Sequence, residues 1–530
     1  MALGGAAWGA PGGGLPAARS VFARTAGIPP GRRAPTGGAA EARHRRPARV
    51  IRPLATLLLF VIAFALATSL PAHAIDQLTP LLEQEVTRTA RTIPNLAIRI
   101  IELGNRELDY AYRADAHMTP ASNQKLLTTA TALSLLGPGY AFETQVGIRG
   151  NVAGDGVLAG DLAVRGAGDP TISGRENGDP YAAFRRWAAA LRGRGVRRVS
   201  GDLYLEHGLF SGPFVHPDWP PEQQQWWYEA PVAALSFNDN CQLLRGWGAQ
   251  RRGQRGILDL VPRVDALLLQ NGLRTVRGKT RWAVLRNPES RLVQVSGEMP
   301  AGGGPMEVWV TVPDPIAYFG LGLRAALAEE GVVVEGQTRP VERLPGPWWE
   351  LVHTHRTLLV SALDVTNKRS QNFYAESLLK LLGARFCKDG SWVGGARVVS
   401  DFLAKKVGWA RDQFHVTDGS GMARSDWVTA RGMTLLLEHM FRQRWGVEFV
   451  RSLPYAGEPE ASLHQRLTEP GYRGNVFAKT GTIERVSTLS GYAKGRSGKI
   501  YAFSILANGA NAWQGRLAQD RIVALLVDNG

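Results

Sequence analysis

Residues 119–138 read Thr-Pro-Ala-Ser-Asn-Gln-Lys-Leu-Leu-Thr-Thr-Ala-Thr-Ala-Leu-Ser-Leu-Leu-Gly-Pro. Leu126, Leu127, Ala130, Leu133 and Leu136 recur at helical spacing, and Gly137-Pro138 supplies a stop, so the stretch predicts a buried helix. Thr119 is the expected N-cap and Pro120 the expected first helical residue. Ser122 then lies in the first turn, where backbone N–H groups lack intrahelical partners and the dipole favours negative charge. Lys125 stands three residues on, one turn away on the same face. A serine hydroxyl is a poor nucleophile until a base removes its proton. A partly desolvated lysine beside other cations has a lowered pKa and can supply that base. Alone, Ser-x-x-Lys equally describes a surface lysine beside a helix-start serine, so its meaning depends on what accompanies it.

Two further motifs do. Ser370-Gln371-Asn372 directly precedes the apolar run Phe373–Leu382, which predicts a second helix capped by Gly383. A hydroxyl there would relay a proton to a leaving amine, and the amide would orient Lys125 and the substrate. The plainer alternative is an N-cap serine and a turn asparagine. Lys479-Thr480-Gly481-Thr482 follows Val476-Phe477-Ala478. A lysine and a hydroxyl on an edge strand would face a substrate carboxylate, and Gly481 would allow close backbone approach. The alternative is a strand end entering a turn.

Working outward, residues 76–140 read as mainly helical, with a short strand around Leu96–Ile101. From about 143 to 355 the texture changes to short alternating runs, such as Leu158–Val164, Gly201–Leu205 and Val308–Val312, punctuated by Gly-rich turns. Helical stretches at Tyr181–Leu191 and Ala317–Glu329 interrupt them. Helices return from 358 to about 445. The end reads as strands Val476–Lys479, Thr488–Ala493 and Ile500–Ala507, then a helix over Trp513–Val527. The expectation is an α+β fold: one helix-and-sheet domain, split in sequence by a long β-rich insertion.

Bulk properties fit. At about 150 residues per domain, a chain of 530 suggests two to four domains. The chain is 44% hydrophobic and 20% charged, which is globular rather than disordered. Cys241 and Cys387 are the only cysteines, too few for a disulfide framework or a cysteine-rich zinc site, and whether they pair stays open. Residues 1–74 hold nine arginines against one acid, Glu41, a net of +8 that leaves +8 of the total +16 for residues 75–530. That surplus suits an anionic polymer or a peripheral membrane contact; no recognised nucleic-acid module accompanies it. Arg43, Arg45, Arg46, Arg49 and Arg52 precede the apolar run Leu54 to Leu70, and Ala72-His73-Ala74 follows. This is the order of a secretory signal cleaved after Ala74, which places the working protein in the periplasm; a retained membrane anchor is the alternative. No His-Glu-x-x-His zinc motif and no Gly-x-Ser-x-Gly elbow is present, which leaves a metallopeptidase or an elbow-type serine hydrolase without support.

Ser-x-x-Lys, Ser-Asp-Asn and Lys-Thr-Gly in this order are the signature of penicillin-binding proteins and class A β-lactamases. The middle motif here is Ser-Gln-Asn, so the β-lactamase form is not met. Beyond the three motifs, Gly166-Ala167-Gly168-Asp169-Pro170, Ser236-Phe237-Asn238-Asp239-Asn240, Asn367-Lys368-Arg369-Ser370-Gln371-Asn372 and Asp418-Gly419-Ser420-Gly421 all resemble the class C low-molecular-mass penicillin-binding proteins. That is the D-alanyl-D-alanine carboxypeptidase/endopeptidase family, and the likeness runs through the whole exported chain. Ser122 and Ser370 are 248 positions apart, and in this family two extra domains lie between those motifs.

The resemblance implies a transpeptidase/β-lactamase-like domain at 75–142 and 358–530, a second domain at 143–241 and 324–357, and a third at 242–323, after a leader at 1–74. It implies that Ser122 attacks the carbonyl between two D-alanines in peptidoglycan stem peptides and that Lys125 takes its proton. Ser370 and Asn372 complete the proton network, and Lys479 with Thr480 holds the terminal carboxylate on the Gly481 strand. Backbone N–H groups of Ser122 and Thr482 form the oxyanion hole, and no metal or organic cofactor is needed. β-Lactams would acylate the same serine. Asp418-Gly419-Ser420-Gly421 is expected to be a structural loop lining the cleft, and Asn238 and Asp239 to sit near the substrate's diamino-acid side chain. A β-lactamase or esterase with the same machinery, or an idle wall-binding scaffold, remains the alternative; intact Ser122, Lys125, Asn372 and Lys479 argue against the scaffold.

Overall fold

The computed structural model describes residues 73–175, 178–346 and 349–530. Helix α1 (His73–Ala90) leads into strands β1 (Asn95–Glu102) and β2 (Asp109–Tyr112), followed by helix α2 (Gln124–Leu136). After residue 358 come helices α3 (Leu359–Lys368), α4 (Asn372–Phe386), α5 (Trp392–Phe402), α6 (Ala430–Arg442) and α7 (Gly446–Ser452). Strands β3 (Val476–Ile483), β4 (Val486–Lys494) and β5 (Ile500–Asn508) and helix α8 (Ala512–Asn529) complete the chain. These distant segments share one antiparallel sheet, ordered β3-β4-β5-β1-β2. β1 pairs with β5 from Asn95↔Asn508 to Glu102↔Tyr501, so the first and last parts of the chain close a single unit.

The sheet is covered on both faces, which is why its strands read as continuous apolar runs. Alternation divides β1: Leu96, Ile98 and Ile100 enter the core with Leu78, Leu82, Ile522 and Leu526 of α1 and α8, whereas Ala97 and Ile101 face Leu126, Leu133, Leu436 and Met440 of α2 and α6. α2 is buried from Gln124 to Leu133, and a helix buried all round tolerates polar groups only when they are bonded. Its threonines meet that demand: Thr129 and Thr131 hydroxyls donate to the carbonyls of Lys125 and Leu127, and Thr128 donates to Gly419 O at 2.8 Å.

Two local expectations change. The helix begins after a 3-10 turn, Ala121–Asn123; Pro120 rather than Thr119 occupies the N-cap position, without a side-chain cap bond. Ala121 has φ +45°, a left-handed conformation uncommon outside glycine, which a simple N-cap pattern does not foresee. Gly383 does not cap α4, which continues to Phe386. A Cβ there would lie 2.3 Å from Asp389 O and 2.6 Å from Gly395 N, so the glycine admits the start of α5.

Between the two parts, strands Ala141–Val152, Val157–Arg165, Arg198–Val199, Leu203–Glu206, Val333–Val334, Thr338–Val341 and Glu350–Leu358 form a seven-stranded mixed sheet. Helices Ala182–Gly193 and Pro315–Glu329 pack together in its core through Phe184, Trp187, Phe319 and Leu323. Nested within that span, Cys241–Trp247, Ile257–Val261 and Met306–Thr311 form one three-stranded sheet, and Leu268–Val276, Arg281–Arg286 and Leu292–Pro300 another. The molecule is an α+β fold with a long β-rich insertion. Cys241 and Cys387 are both free thiols. The expected leader lies outside the described residues up to position 72. Among the described residues no helix is long and apolar enough to cross a membrane.

Candidate active site

The turn at Ala121–Asn123 holds Ser122 at the start of α2, half-buried, while its neighbours Ala121 and Asn123 are buried. Asn123 Nδ2 donates to Lys479 O at 2.8 Å, and Thr488 Oγ1 of β4 donates to Pro120 O at 2.8 Å. The serine turn is thus fastened to the sheet edge from both sides. Gly481 is where the two approach most closely: a Cβ on it would stand 2.9 Å from Ser122 N and 2.1 Å from Thr488 Oγ1.

Lys125 is fully buried, and its Nζ has three acceptors: Ser122 Oγ at 2.9 Å, Asn372 Oδ1 at 2.7 Å and Ser420 O at 3.0 Å. Burial lowers its pKa to about 7, against an opposing pull from Asp418 and Glu376. A neutral amine keeps two N–H bonds and one lone pair. Asn372 Oδ1 and Ser420 O can only accept, so they take the two hydrogens and the lone pair is left facing the Ser122 hydroxyl. Asn372 is itself fixed by donating from Nδ2 to Tyr228 O at 2.7 Å.

Ser370 precedes α4 with φ +56°, and its hydroxyl accepts from Lys479 Nζ at 2.8 Å. Lys479 is buried, and burial together with the neighbouring Lys125 charge pushes its pKa well down. Thr480 and Thr482 stay half-buried on β3, and Thr482 Oγ1 accepts from Arg516 at 3.3 Å. Ser122, Ser370, Thr480 and Thr482 are therefore half-buried, whereas Lys125, Asn372 and Lys479 are buried.

Asp418 organises the loop that offers Ser420 O. Its carboxylate accepts from the N–H groups of Ser420, Gly421 and Ala423 and from Trp219 Nε1 at 3.0 Å. Burial would raise its pKa, but Asp426, Trp219 and these amides hold it low, while burial and the Asp418 charge push Asp426 up. Glu376, inside the apolar face of α4, accepts from Gly419 N and Trp392 Nε1, each at 2.9 Å, and burial raises its pKa.

Asn238 and Asp239 both have positive φ and part company. Asn238 Nδ2 donates inward to Cys241 O and Tyr318 Oη, within the insertion. Asp239 is ion-paired with Arg175 and accepts from Gln371 Nε2 at 3.1 Å, which ties the insertion to the middle of the second motif. Sequence reading did not single out Tyr228, whose carbonyl holds Asn372, nor Glu376. An acid inside an apolar helical run was the available signal for Glu376; a backbone carbonyl leaves none. Among the described residues there is no group of three or more His, Cys, Asp and Glu suited to hold a metal.

The family model for the D-Ala-D-Ala carboxypeptidase 3 (S13) family matches residues 82–528. A D-alanyl-D-alanine carboxypeptidase of Actinomadura sp. (strain R39) is 30% identical over 510 residues, covering 93% of this chain and 92% of that protein. In three dimensions the chain is similar to penicillin binding protein 4 (dacB) of Haemophilus influenzae, with a TM-score of 0.71 at 22% identity over 82% of this chain and 97% of that one. A second structure of that protein, complexed with a novel beta-lactam, gives a TM-score of 0.66 at 21% identity over 83% and 98%. Together with the match across nearly the whole described chain, these place it: the chain belongs to the D-Ala-D-Ala carboxypeptidase 3 (S13) family of serine peptidases.

Proposed function

We propose that this chain hydrolyses D-alanyl-D-alanine termini, and D-alanyl cross-links that differ only in the leaving amine, through an acyl-enzyme on Ser122. The three bonds at Lys125 Nζ carry this reading, because they leave the neutral amine's lone pair directed at the nucleophile. Lys125 takes the Ser122 proton as Oγ adds to the carbonyl carbon, and the oxyanion forms between the N–H groups of Ser122 and Thr482. As the C–N bond breaks, the proton that Lys125 took from Ser122 passes through the Ser370 hydroxyl, held by Lys479 Nζ, to the departing amine, which leaves Lys125 neutral again. Lys479, Thr480 and Thr482 hold the terminal carboxylate, with Gly481 allowing the strand to lie against Ser122 N. Water then cleaves the ester, Lys125 again accepting a proton and returning it to Ser122. The scheme uses only this chain's residues and water. β-Lactams acylate Ser122 by the same attack, and loss of their ring amide as a diffusible leaving group does not occur.

We further propose export by the leader at 1–74, periplasmic action on peptidoglycan with at most peripheral membrane contact, and the split organisation expected from the sequence. Within it we move the 323/324 boundary back to before Pro315, because helix Pro315–Glu329 is continuous and packs with Ala182–Gly193. The test is release of free D-alanine from an acylated Lys-D-Ala-D-Ala peptide. Release that is lost in Ser122→Ala and absent with the L,L-peptide supports the assignment; release that survives Ser122→Ala contradicts it.

A further inference from the structure

Residues 224–226 are clamped to the strand Met306–Thr311 of the insertion. Arg286, buried, donates from Nη2 to Gln224 O and to Thr311 Oγ1 at 2.7 Å, and its backbone N donates to Gln225 Oε1 at 2.7 Å. Thr311 N donates to Gln225 O, and Trp226 forms an antiparallel bridge with Val310. Trp227, which opens the 3-10 turn Trp227–Glu229, follows that bridge on one segment, and Trp309 precedes it on the other. Trp226 and Val310 pack toward the core of the insertion, whereas Trp227 and Trp309 are each 40% exposed. Two large aromatic side chains held out to solvent on either side of one backbone bridge are not explained by packing.

The position of this pair relates it to the catalytic centre. Trp227 is one residue, about 3.8 Å of chain between Cα atoms, from Tyr228, whose carbonyl accepts from Asn372. We propose that Trp227 and Trp309 form a platform at the rim of the active site that stacks on pyranose rings of the glycan strand bearing the stem peptide. This rests on the peptidase reading for its substrate, and adds a saccharide subsite to it. Indole faces carry negative quadrupole density that suits the C–H-lined face of a sugar ring. Such contacts involve no net charge, so they persist in salt that screens the attraction of a basic protein for an anionic polymer.

The test measures co-sedimentation of the full exported chain with purified peptidoglycan sacculi, and with glycan strands stripped of stem peptides, in about 0.5 M salt. Trp227→Ala and Trp309→Ala should each weaken binding about fivefold, and the double variant about 20-fold, while Trp227→Phe stays within about twofold of the parent. Melting temperature and hydrolysis of a soluble D-alanyl-D-alanine peptide should not change. Unaltered sedimentation of the double variant overturns the proposal. So does a parallel fall in soluble-peptide hydrolysis, which would put the rings in the peptide cleft, or Trp-dependent binding that vanishes when stem peptides are removed. A parent chain inactive on the soluble peptide would sink the peptidase reading instead, with the sedimentation comparison still decisive for the platform.

Discussion

Gly481→Ala puts the packing between the serine turn and β3 under direct strain. The added Cβ would lie 2.9 Å from both Ser122 N and Pro120 O, where 3.4 Å begins ordinary contact, a shortfall of about 0.5 Å. It would also lie 2.1 Å from Thr488 Oγ1, which can rotate away only by giving up its bond to Pro120 O. Overpacking of this kind costs ~1–3 kcal/mol, and the lost hydrogen bond ~1 kcal/mol more. The remaining strain moves β3 away from Ser122, and displacement of reacting groups by about half an ångström costs roughly tenfold to 100-fold in rate. The assay is the second-order rate of acylation by a fluorescent penicillin, with melting temperature read on the same samples. A fall of at least tenfold with a stable fold is expected. Adding Thr488→Ala should recover part of the stability and little of the rate, since both backbone contacts remain. Gly481→Ala acylating within twofold of the parent would refute the argument that close strand approach positions the nucleophile.

Acylation should follow the neutral form of Lys125, so its rate should fall as pH drops below about 7, and Asp418→Asn should move that limb to lower pH by removing a carboxylate that favours the charged amine; a limb near the ordinary lysine range would contradict this. Glu229 is buried with neither carboxyl oxygen hydrogen-bonded, and burial, with Glu222 nearby, raises its pKa to about 8. Its folded pKa lies above the unfolded value, so the parent's stability is full below about pH 4.5 and declines as pH rises toward 8. Glu229→Gln should remove ~3 kcal/mol of that decline, read by denaturant unfolding at pH 5 and pH 8; identical slopes would dispose of the claim. Trp219→Phe removes a donor to the Asp418 carboxylate and should cost ~2 kcal/mol of stability, seen as a lowered midpoint in urea, with no change expected if Asp418 is held by its backbone donors alone.

The motif residues were legible because their chemistry is local: Ser122 and Lys125 share one helical turn, and Lys479 to Thr482 share one strand. The split of the main unit was legible too, since the alternating texture between 143 and 355 differs from the helices on either side. The exact start of α2 was not, because the left-handed Ala121 is set by contact with Gly421 and β3 rather than by its own type; a Cβ at Gly421 would meet Ala121 O at 1.9 Å. Gly383 followed the usual rule for helix ends, yet serves the approach of α5. Asn238 and Asp239 are sequence neighbours with the same backbone hand, but one bonds inward and the other reaches Gln371, 132 positions away. Tyr228 O was beyond reach for the same reason: its partner Asn372 is 144 positions distant, and any residue type carries a carbonyl.

The central claim is that Ser122 forms the acyl-enzyme. Intact-mass analysis of the protein after exposure to benzylpenicillin, followed by peptide mapping, tests it most directly. One penicilloyl group on the peptide containing Ser122, absent from Ser122→Ala of unchanged fold, is the predicted result. A stable adduct on another residue, or undiminished labelling of Ser122→Ala, would contradict the account.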